Sequence, residues 1–373
     1  MSAKPTLCFL TGTLNAFAGA ERMTAVIANE LARRGYTVHI LSLWDAASCF
    51  DLEPAVRHDA LFAQRPSFKT RYLSTVFGIR RYLKRHRIDV LIEVDTMLTL
   101  FTLPACAGLG VRRIAWEHCN FDQDLGRRAR RLARRLAVRT CERVVVLTQR
   151  DREKWERALG ARNVVAIPNA LPFAMPAKPA ERNSKLALAV GRLTHAKGFD
   201  VLLHAWKMVA REHPDWRLDI VGDGELHDAL MNLRNELDLS ASVRLLPARR
   251  DLSELYRGAS LFCLSSRYEG FGLVLVEAMA YGLPVVATDC ETGPREVLGA
   301  VAHGALVPVD DADALGRAIC RTIAHPDMAA RMAKHGIERA KNYEADRIAT
   351  AWLPLLERTE IARAHQSRVK PRS

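Results

Sequence analysis

"SSRYEGFGLVLVEAMAYGLPVV", residues 265–286, sets one carboxylate before a Gly-Phe-Gly turn and a second inside the apolar run that follows. A helix that only buries its surface needs neither Glu269 nor Glu277. Gly270 and Gly272 let the backbone approach a ligand without Cβ clashes. The helix predicted to begin near Gly272 turns free N–H groups and the positive end of its dipole toward that ligand, a seat for phosphate. A carboxylate at the mouth of such a seat is repelled unless it grips hydroxyls. A diphosphate between two sugars would satisfy both glutamates, although a dipole-friendly glutamate without any ligand explains the spacing almost as well.

The quoted stretch lies between two short apolar runs, "SLFCLSS" (260–266) and "PVVAT" (284–288), and the same rhythm extends in both directions. Upstream stand "LALAVGR" (186–192), "RLDIVGDGE" (217–225) and "SVRLLP" (242–247), and downstream "GALVPV" (304–309), with helical patterns at 198–212, 225–237, 251–258 and 272–281 between them. The first half repeats it: "TLCFLTG" (6–12), "YTVHILSLW" (36–44), "DVLIEV" (89–94), "RRIAWE" (112–117), "RVVVLT" (143–148) and "NVVAIPN" (163–169). Strands alternating with helices predict parallel sheets covered on both faces. Between the halves, "LPFAMPAKPAERNSK" (171–185) has three prolines and no period, and reads as a linker. A last helical stretch covers about 326–364, and the polar "AHQSRVKPRS" after it reads as a frayed tail.

A chain of 373 residues suits two such domains. Its longest uncharged stretch, Thr96–Val111, is broken by Pro104 and too short to span a bilayer. The start reads as a strand and not a signal peptide. Eight cysteines without a CxxC pair suggest reduced thiols and a cytoplasmic protein. No HExxH or Cys/His cluster offers a metal site, so no metal is expected. The net charge of +13 is uneven: residues 1–170 carry 28 Lys and Arg against 16 acids, and residues 171–373 carry 27 against 26. The first half therefore tolerates or needs an anionic partner.

Ligands of doubly wound sheets bind beyond the carboxyl ends of the strands, which selects further candidates. In "AVGRLTHAKGFD", Arg192 and Lys197 flank a turn into a helix and can neutralise a diphosphate, though a solvated basic turn has the same composition. "LTGTLNAFAGAER" sets Gly12 and Gly19 between a strand and a helix, a weak phosphate cradle. Neither it nor "VGDGE" is a GxGxxG fingerprint, which disfavours a nicotinamide enzyme. His118 in "IAWEHCNF" follows a strand end, where a lone histidine is more often structural than catalytic. "LGRRARRLARRLAVR" (125–139) holds seven arginines and no acid. A helical projection puts Leu125, Ala129, Leu132, Ala133 and Leu136 on one stripe, with Arg127, Arg128, Arg130, Arg131, Arg134, Arg135 and Arg139 opposite. That pattern predicts a surface helix, and its unopposed charge suits an anionic membrane face. "RRYLKRHR" (80–87) is a second basic cluster in the same half.

Taken together these motifs resemble the family-4 retaining glycosyltransferases, over nearly the whole chain. "EGFGLVLVEAMAYGLPVVAT" carries the family's Glu-x7-Glu pattern, "GRLTHAKGFD" its Arg/Lys pattern, and "AGAER" its "GGAER" loop with Ala18 for the first glycine. "PNALPF" keeps the Pro-Asn and lacks the Val-Asp that often follows, and "WEHCNF" and "TDCETGPREVL" are similar to a subset that builds bacterial surface polysaccharides on lipid carriers. The resemblance implies an α/β GT-B fold of two doubly wound Rossmann-like domains facing a cleft. Residues 1–170 would bind the acceptor, 171–185 link, and 186–345 bind the nucleotide sugar, with 346–373 returning to the first domain.

It further implies that Glu269 contacts hydroxyls of the transferred sugar and Glu277 the ribose. Gly270, Phe271, Gly272 and Leu273 would line sugar and phosphates, Arg192 and Lys197 would hold the diphosphate, Gly19 would lie near the phosphates and His118 near the sugar. The implied donor is a UDP-hexose or UDP-N-acetylhexosamine and the acceptor a glycan or polyprenyl-diphosphate-linked glycan. No cofactor is expected, and the location is cytoplasmic, peripheral on the inner face of the membrane. A sugar-nucleotide epimerase of the same fold is the first alternative. A basic nucleic-acid binder is the second, disfavoured because no readout module is present.

Overall fold

The computed structural model describes residues 4–124, 126–299 and 304–357, and these fall into two compact α/β units. The first comprises residues up to Pro172 together with the chain from Ala345 onward, and the second Phe173–Glu344.

The first unit is built on a seven-stranded parallel sheet. Its strands are β1 (Leu7–Thr11), β2 (Val38–Trp44), β3 (Val56–Phe62), β4 (Val90–Glu93), β5 (Arg112–Trp116), β6 (Arg143–Val146) and β7 (Val164–Ala166), in the order β3-β2-β1-β4-β5-β6-β7. β1, β4 and β6 are apolar along most of their length because helices cover both faces of a parallel sheet. The helices are α1 (Gly19–Arg33), α2 (Tyr72–Arg85), α3 (Thr99–Cys106), α4 (Arg128–Thr140) and α5 (Gln149–Leu159). α5 starts on Thr148, whose hydroxyl accepts the Asp151 N–H, and stops at Gly160 in the left-handed region, φ 62°. β3 was not anticipated: Arg57, His58 and Asp59 interrupt its hydrophobicity, as an edge strand with a solvated side permits.

The second unit holds β8 (Leu186–Val190), β9 (Arg217–Val221), β10 (Val243–Leu246), β11 (Leu261–Leu264), β12 (Val285–Thr288) and β13 (Ala305–Val307) in the order β10-β9-β8-β11-β12-β13. Around it lie α6 (Phe199–Glu212), α7 (His227–Glu236), α8 (Ser253–Gly258), α9 (Leu273–Ala280), α10 (Pro294–Leu298), α11 (Ala312–Ala324) and α12 (Pro326–Ala340). α6 buries Leu202, Ala205, Trp206 and Val209, a single stripe at helical spacing, and packs on α11. Residues 173–185 are not a free linker. The Ala180 N–H donates to the Tyr281 carbonyl at 2.8 Å and the Phe173 ring stands 5.5 Å from that of Tyr281, so the prolines cost donors but the apolar side chains still find a surface.

α13 (Ala345–Leu356) packs on α1 of the first unit, and Arg112 holds its end by donating to the Leu355 and Leu356 carbonyls, each at 2.7 Å. The end of the expected helical stretch, from residue 358, and the expected tail after it lie outside the described residues.

α4 corrects the expectation drawn from its leucines. Its buried face is Arg130, Ala133, Arg134 and Ala137, whereas Leu132 is 53% exposed and Ala129 faces solvent. Leu125 lies outside the described residues. Two of the seven arginines are therefore core side chains, and Arg127, Arg128, Arg131, Arg135 and Arg139 remain outside. The reason is electrostatic. Arg130 meets both Asp95 oxygens (3.0 and 2.8 Å) and Glu117 (3.0 Å), and Arg134 meets Glu117 (3.1 Å). These acids follow β4 and β5 and lie 13 to 35 residues before the arginines they meet.

Candidate functional site

Strand order decides which loops meet. In the second sheet the chain reverses direction of travel between β8 and β11, which are neighbours, so the loops after them share one carboxyl-end crevice. The first loop carries Arg192 and Lys197, the second Glu269 to Leu273. They are brought together: Lys197 Nζ donates to Glu269 Oε1 at 2.6 Å, and Ser266 Oγ donates to the same oxygen at 2.6 Å. Both charges are mostly withdrawn from solvent, with the ammonium at the more open end. Arg192 is exposed on the same loop.

Glycine is required at two points of this junction. A Cβ on Gly198, itself left-handed at φ 59°, would come within 2.2 Å of the Ser265 carbonyl oxygen. No other residue lets the Lys197 turn lie so close to the loop after β11. Gly272 stands at φ 85° before α9 and offers no side chain to cap the helix, so the amides of the first turn of α9 have no side-chain acceptor at the cap. An uncapped helix start beside a lysine can receive an anion, and a carboxylate at its mouth can receive hydroxyls.

Glu277, on α9, is 2% exposed, and its Oε2 accepts the Tyr256 hydroxyl at 2.8 Å. Its carboxylate is thus part of the packing between α8 and α9 as well as a candidate for ligand contact.

Three supports of the site were not foreseen. Arg267 donates to both Asp200 oxygens (2.9 and 2.7 Å), to Asp310 (2.7 Å) and to the His195 carbonyl (3.0 Å), fastening the Lys197 turn to the loop after β11. Thr292 Oγ1 donates to the Glu269 carbonyl at 2.6 Å, which gives "TDCETGP" a local purpose. The glycines of "VGDGE" fit the loop after β9 under the Arg192 loop: a Cβ on Gly224 would lie 2.4 Å from the Leu193 oxygen. Arginines and threonines beside a motif carry no signal of their own in one sequence, but the pair of close glycines did.

In the first unit, His118 lies just past β5. Its ring sits 4.4 Å from that of Trp116, and Nε2 is buried with no hydrogen-bond partner among the described residues. Burial lowers its pKa to about 4, with the Asp95 charge pulling the other way. The imidazole is neutral at physiological pH and can donate or accept one bond to an uncharged group. Gly19 opens α1, where a Cβ would meet nothing within 4 Å; Gly12 instead makes room for Trp44, 2.9 Å from where its Cβ would be. Away from these positions, Glu212, His213 and Cys320 bring one donor atom each within 4.8 Å, a cluster not anticipated, in a recess also lined by Arg317 and Arg321.

Comparison with known proteins adds the following. The family model described as "Glycosyltransferase Family 4" matches residues 17–175, and "Glycosyl transferases group 1" matches 173–339. The chain is 32% identical over 348 residues to an uncharacterized glycosyltransferase of Haemophilus influenzae, covering 93% of this chain and 99% of that one. It is 28% identical to the amylovoran biosynthesis glycosyltransferase AmsD of Erwinia amylovora, covering 91% and 95%. It is 25% identical to the "GalNAc-alpha-(1->4)-GalNAc-alpha-(1->3)-diNAcBac-PP-undecaprenol alpha-1,4-N-acetyl-D-galactosaminyltransferase" of Campylobacter jejuni, covering 95% and 99%. Among solved structures, a mutant of S. aureus TarM in complex with fondaparinux, alpha-GlcNAc-glycerol and UDP superposes with a TM-score of 0.79 at 14% identity, covering 95% of this chain and all of that one.

Proposed function

This chain belongs to the family-4 glycosyltransferases of the GT-B fold, and from that membership we propose that it moves a hexose or N-acetylhexosamine from a UDP-sugar to a hydroxyl of a glycan or polyprenyl-diphosphate-linked acceptor, with the anomeric configuration retained. Its relatives make it a glycosyltransferase of polysaccharide or lipid-linked glycan biosynthesis. The observation that supports the finer reading is the Lys197–Glu269 contact beside the uncapped start of α9. It sets a cation, helix amides and a hydroxyl-binding carboxylate at one crevice, the groups that a sugar joined to a diphosphate requires.

In this reading Lys197, Arg192 and the amides of Gly270 to Leu273 take up negative charge as the bond between the anomeric carbon and the diphosphate oxygen breaks. The acceptor oxygen forms its bond to the same face of that carbon, and its proton passes to the departing diphosphate. Glu269 holds hydroxyls of the transferred sugar and Glu277 the ribose. His118, neutral, donates from Nε2 to the sugar. Gly19 leaves the start of α1 open to phosphate. No resident cofactor enters the scheme.

A panel of nucleotide sugars tests it, read by thermal protection and by transfer to an acceptor glycan. UDP-sugars should protect the wild type and protect Lys197→Ala far less. Protection of both proteins alike would overturn the assignment of the crevice. A new UDP-sugar formed without acceptor would favour the epimerase.

A further inference from the structure

α6 and α11 pack side by side in the second unit and approach closely at Gly316. A Cβ there would lie 3.0 Å from the Ala205 carbonyl oxygen and 3.3 Å from the Met208 sulfur. The approach carries on for one more turn of each helix. Cys320 follows Gly316 at helical spacing on α11, and Glu212 follows Met208 in the same way on α6, so each lies on the face of its predecessor. His213 caps α6, its N–H donating to the Val209 carbonyl at 2.7 Å. Glu212, His213 and Cys320 thereby bring a carboxylate oxygen, a ring nitrogen and a sulfur within 4.8 Å of one another, beside an open recess of about 420 Å³.

We infer that these three side chains bind a Zn²⁺ ion, with a water from the recess as the fourth ligand. The donor set chooses the metal. Mg²⁺ and Ca²⁺ take oxygen ligands, whereas sulfur, imidazole nitrogen and one carboxylate suit tetrahedral zinc. Zinc holds neighbouring donors about 3.3–3.6 Å apart, and side-chain rotation of about an ångström closes the set to that size. Glu212 is exposed and His213 half-buried, so both are free to make that adjustment around the buried Cys320.

Electrostatics permits the ion. Arg317 and Arg321 border the recess, and Arg211 stands 3.6 Å from Glu212, so a bare cation would be opposed. A thiolate and a carboxylate cancel the charge of Zn²⁺, and the carbonyl end of α6 adds a negative potential. Burial and a hydrogen bond to Glu212 push the Cys320 thiol up to about 12, so zinc displaces its proton to solvent on binding. The ion fastens the last turn of α6 to α11. The Lys197 turn lies at the other end of α6, roughly 20 Å away along the helix, so the ion belongs to the framework of the second unit and takes no part in transfer. The inference does not depend on the sugar reading.

The test uses the full, untagged chain, with CoCl2 as the spectroscopic probe and ZnCl2 as the competitor. Co²⁺ should give a thiolate charge-transfer band in the near ultraviolet and tetrahedral ligand-field bands in the visible, and Zn²⁺ should bleach both. Cys320→Ser should abolish the charge-transfer band. His213→Ala and Glu212→Gln should each weaken Co²⁺ binding at least about tenfold. Cys49→Ser with Cys119→Ser, the two less buried cysteines, should leave the spectrum unchanged. Zn²⁺ should raise the melting temperature of the wild type and not that of His213→Ala. A wild type without the charge-transfer band, or a band that survives Cys320→Ser, overturns the inference. So does a band lost with Cys49 and Cys119, or binding unaltered in His213→Ala, a solvent-side change that spares the core should Cys320→Ser fail to fold. UDP-sugar protection should be the same in every one of these variants, which separates this outcome from that of the donor crevice.

Discussion

Each unit contains a cluster in which basic side chains meet a glutamate out of water, and the two clusters are not alike. In the second unit Lys197 reaches Glu269 with 19% of its side chain still exposed, on loops that share a carboxyl-end crevice. In the first, Arg130 and Arg134 close on Glu117, which is fully buried, and Arg134 also donates to the Asn120, Phe121 and Gln123 carbonyls. Four of the five N–H donors of Arg134 are thus spent inside the protein. Arg134 ties α4 to the loop after β5, and Arg130 ties it to Asp95 after β4. A charge pair that opens to solvent on its lysine side, beside a helix start, can do chemistry; one buried throughout does architecture. The difference lies in where the fold leaves room.

The largest effect that would break this contrast is on turnover. Lys197→Ala removes a cation from the leaving-group side, and kcat/KM should fall by about 100- to 1,000-fold. The melting temperature should change little, because the pair sits on loops and only part of it is desolvated. Near-normal transfer in this variant would mean that the open pair is structural too.

The converse comes next. Glu117→Ala leaves the buried Arg134 without a carboxylate and Arg130 with Asp95 alone, and should cost about 3–5 kcal/mol of stability in denaturant unfolding. Transfer per folded molecule should survive below the new melting temperature. A variant that stays fully stable while losing transfer would move Glu117 into the chemistry and erase the distinction.

The sequence made one cluster legible and hid the other for a physical reason. Glu269, Gly270 and Gly272 stand out because a carboxylate beside a glycine turn marks either a ligand seat or a dipole-friendly helix start, and the β/α rhythm gives the loop its place at a strand end. Arg130 and Arg134 look like solvent charges because a helical projection sees only their own helix. Their partners, Asp95 and Glu117, arrive by tertiary folding. With both arginines inward, Leu132 turns outward, and a leucine stripe that seemed to define the core face does not. Arg267 was hidden likewise, since Asp200 and Asp310 approach it from α6 and from the turn before α11. β3 escaped because an edge strand need not be apolar, and Phe173 and Ala180 because a proline-rich stretch can still pack.

His118 sharpens the contrast by pH. Its folded pKa lies near 4, below the 6.5 of an exposed imidazole, so between those values the unfolded chain binds the extra proton. Stability from this residue is complete above about pH 6.5 and is lost as pH falls through that window toward about 4. His118→Leu should flatten that part of the stability curve, measured by denaturant midpoint against pH. Transfer by the wild type should show no limb near 6.5 from this group. An unchanged curve in the variant would place the ring in water rather than in its buried setting against Trp116.

The smallest expected effect is the most discriminating about how the open cluster works. If Arg192, Lys197 and the amides at the start of α9 supply the charge that a departing diphosphate needs, a divalent cation has little left to neutralise. Adding EDTA should then leave the transfer rate within about a factor of two. A strict need for Mg²⁺ would show that these cations do not balance the diphosphate alone. Lys197 would then serve chiefly to hold Glu269 in place, and the two clusters would differ in exposure but not in kind.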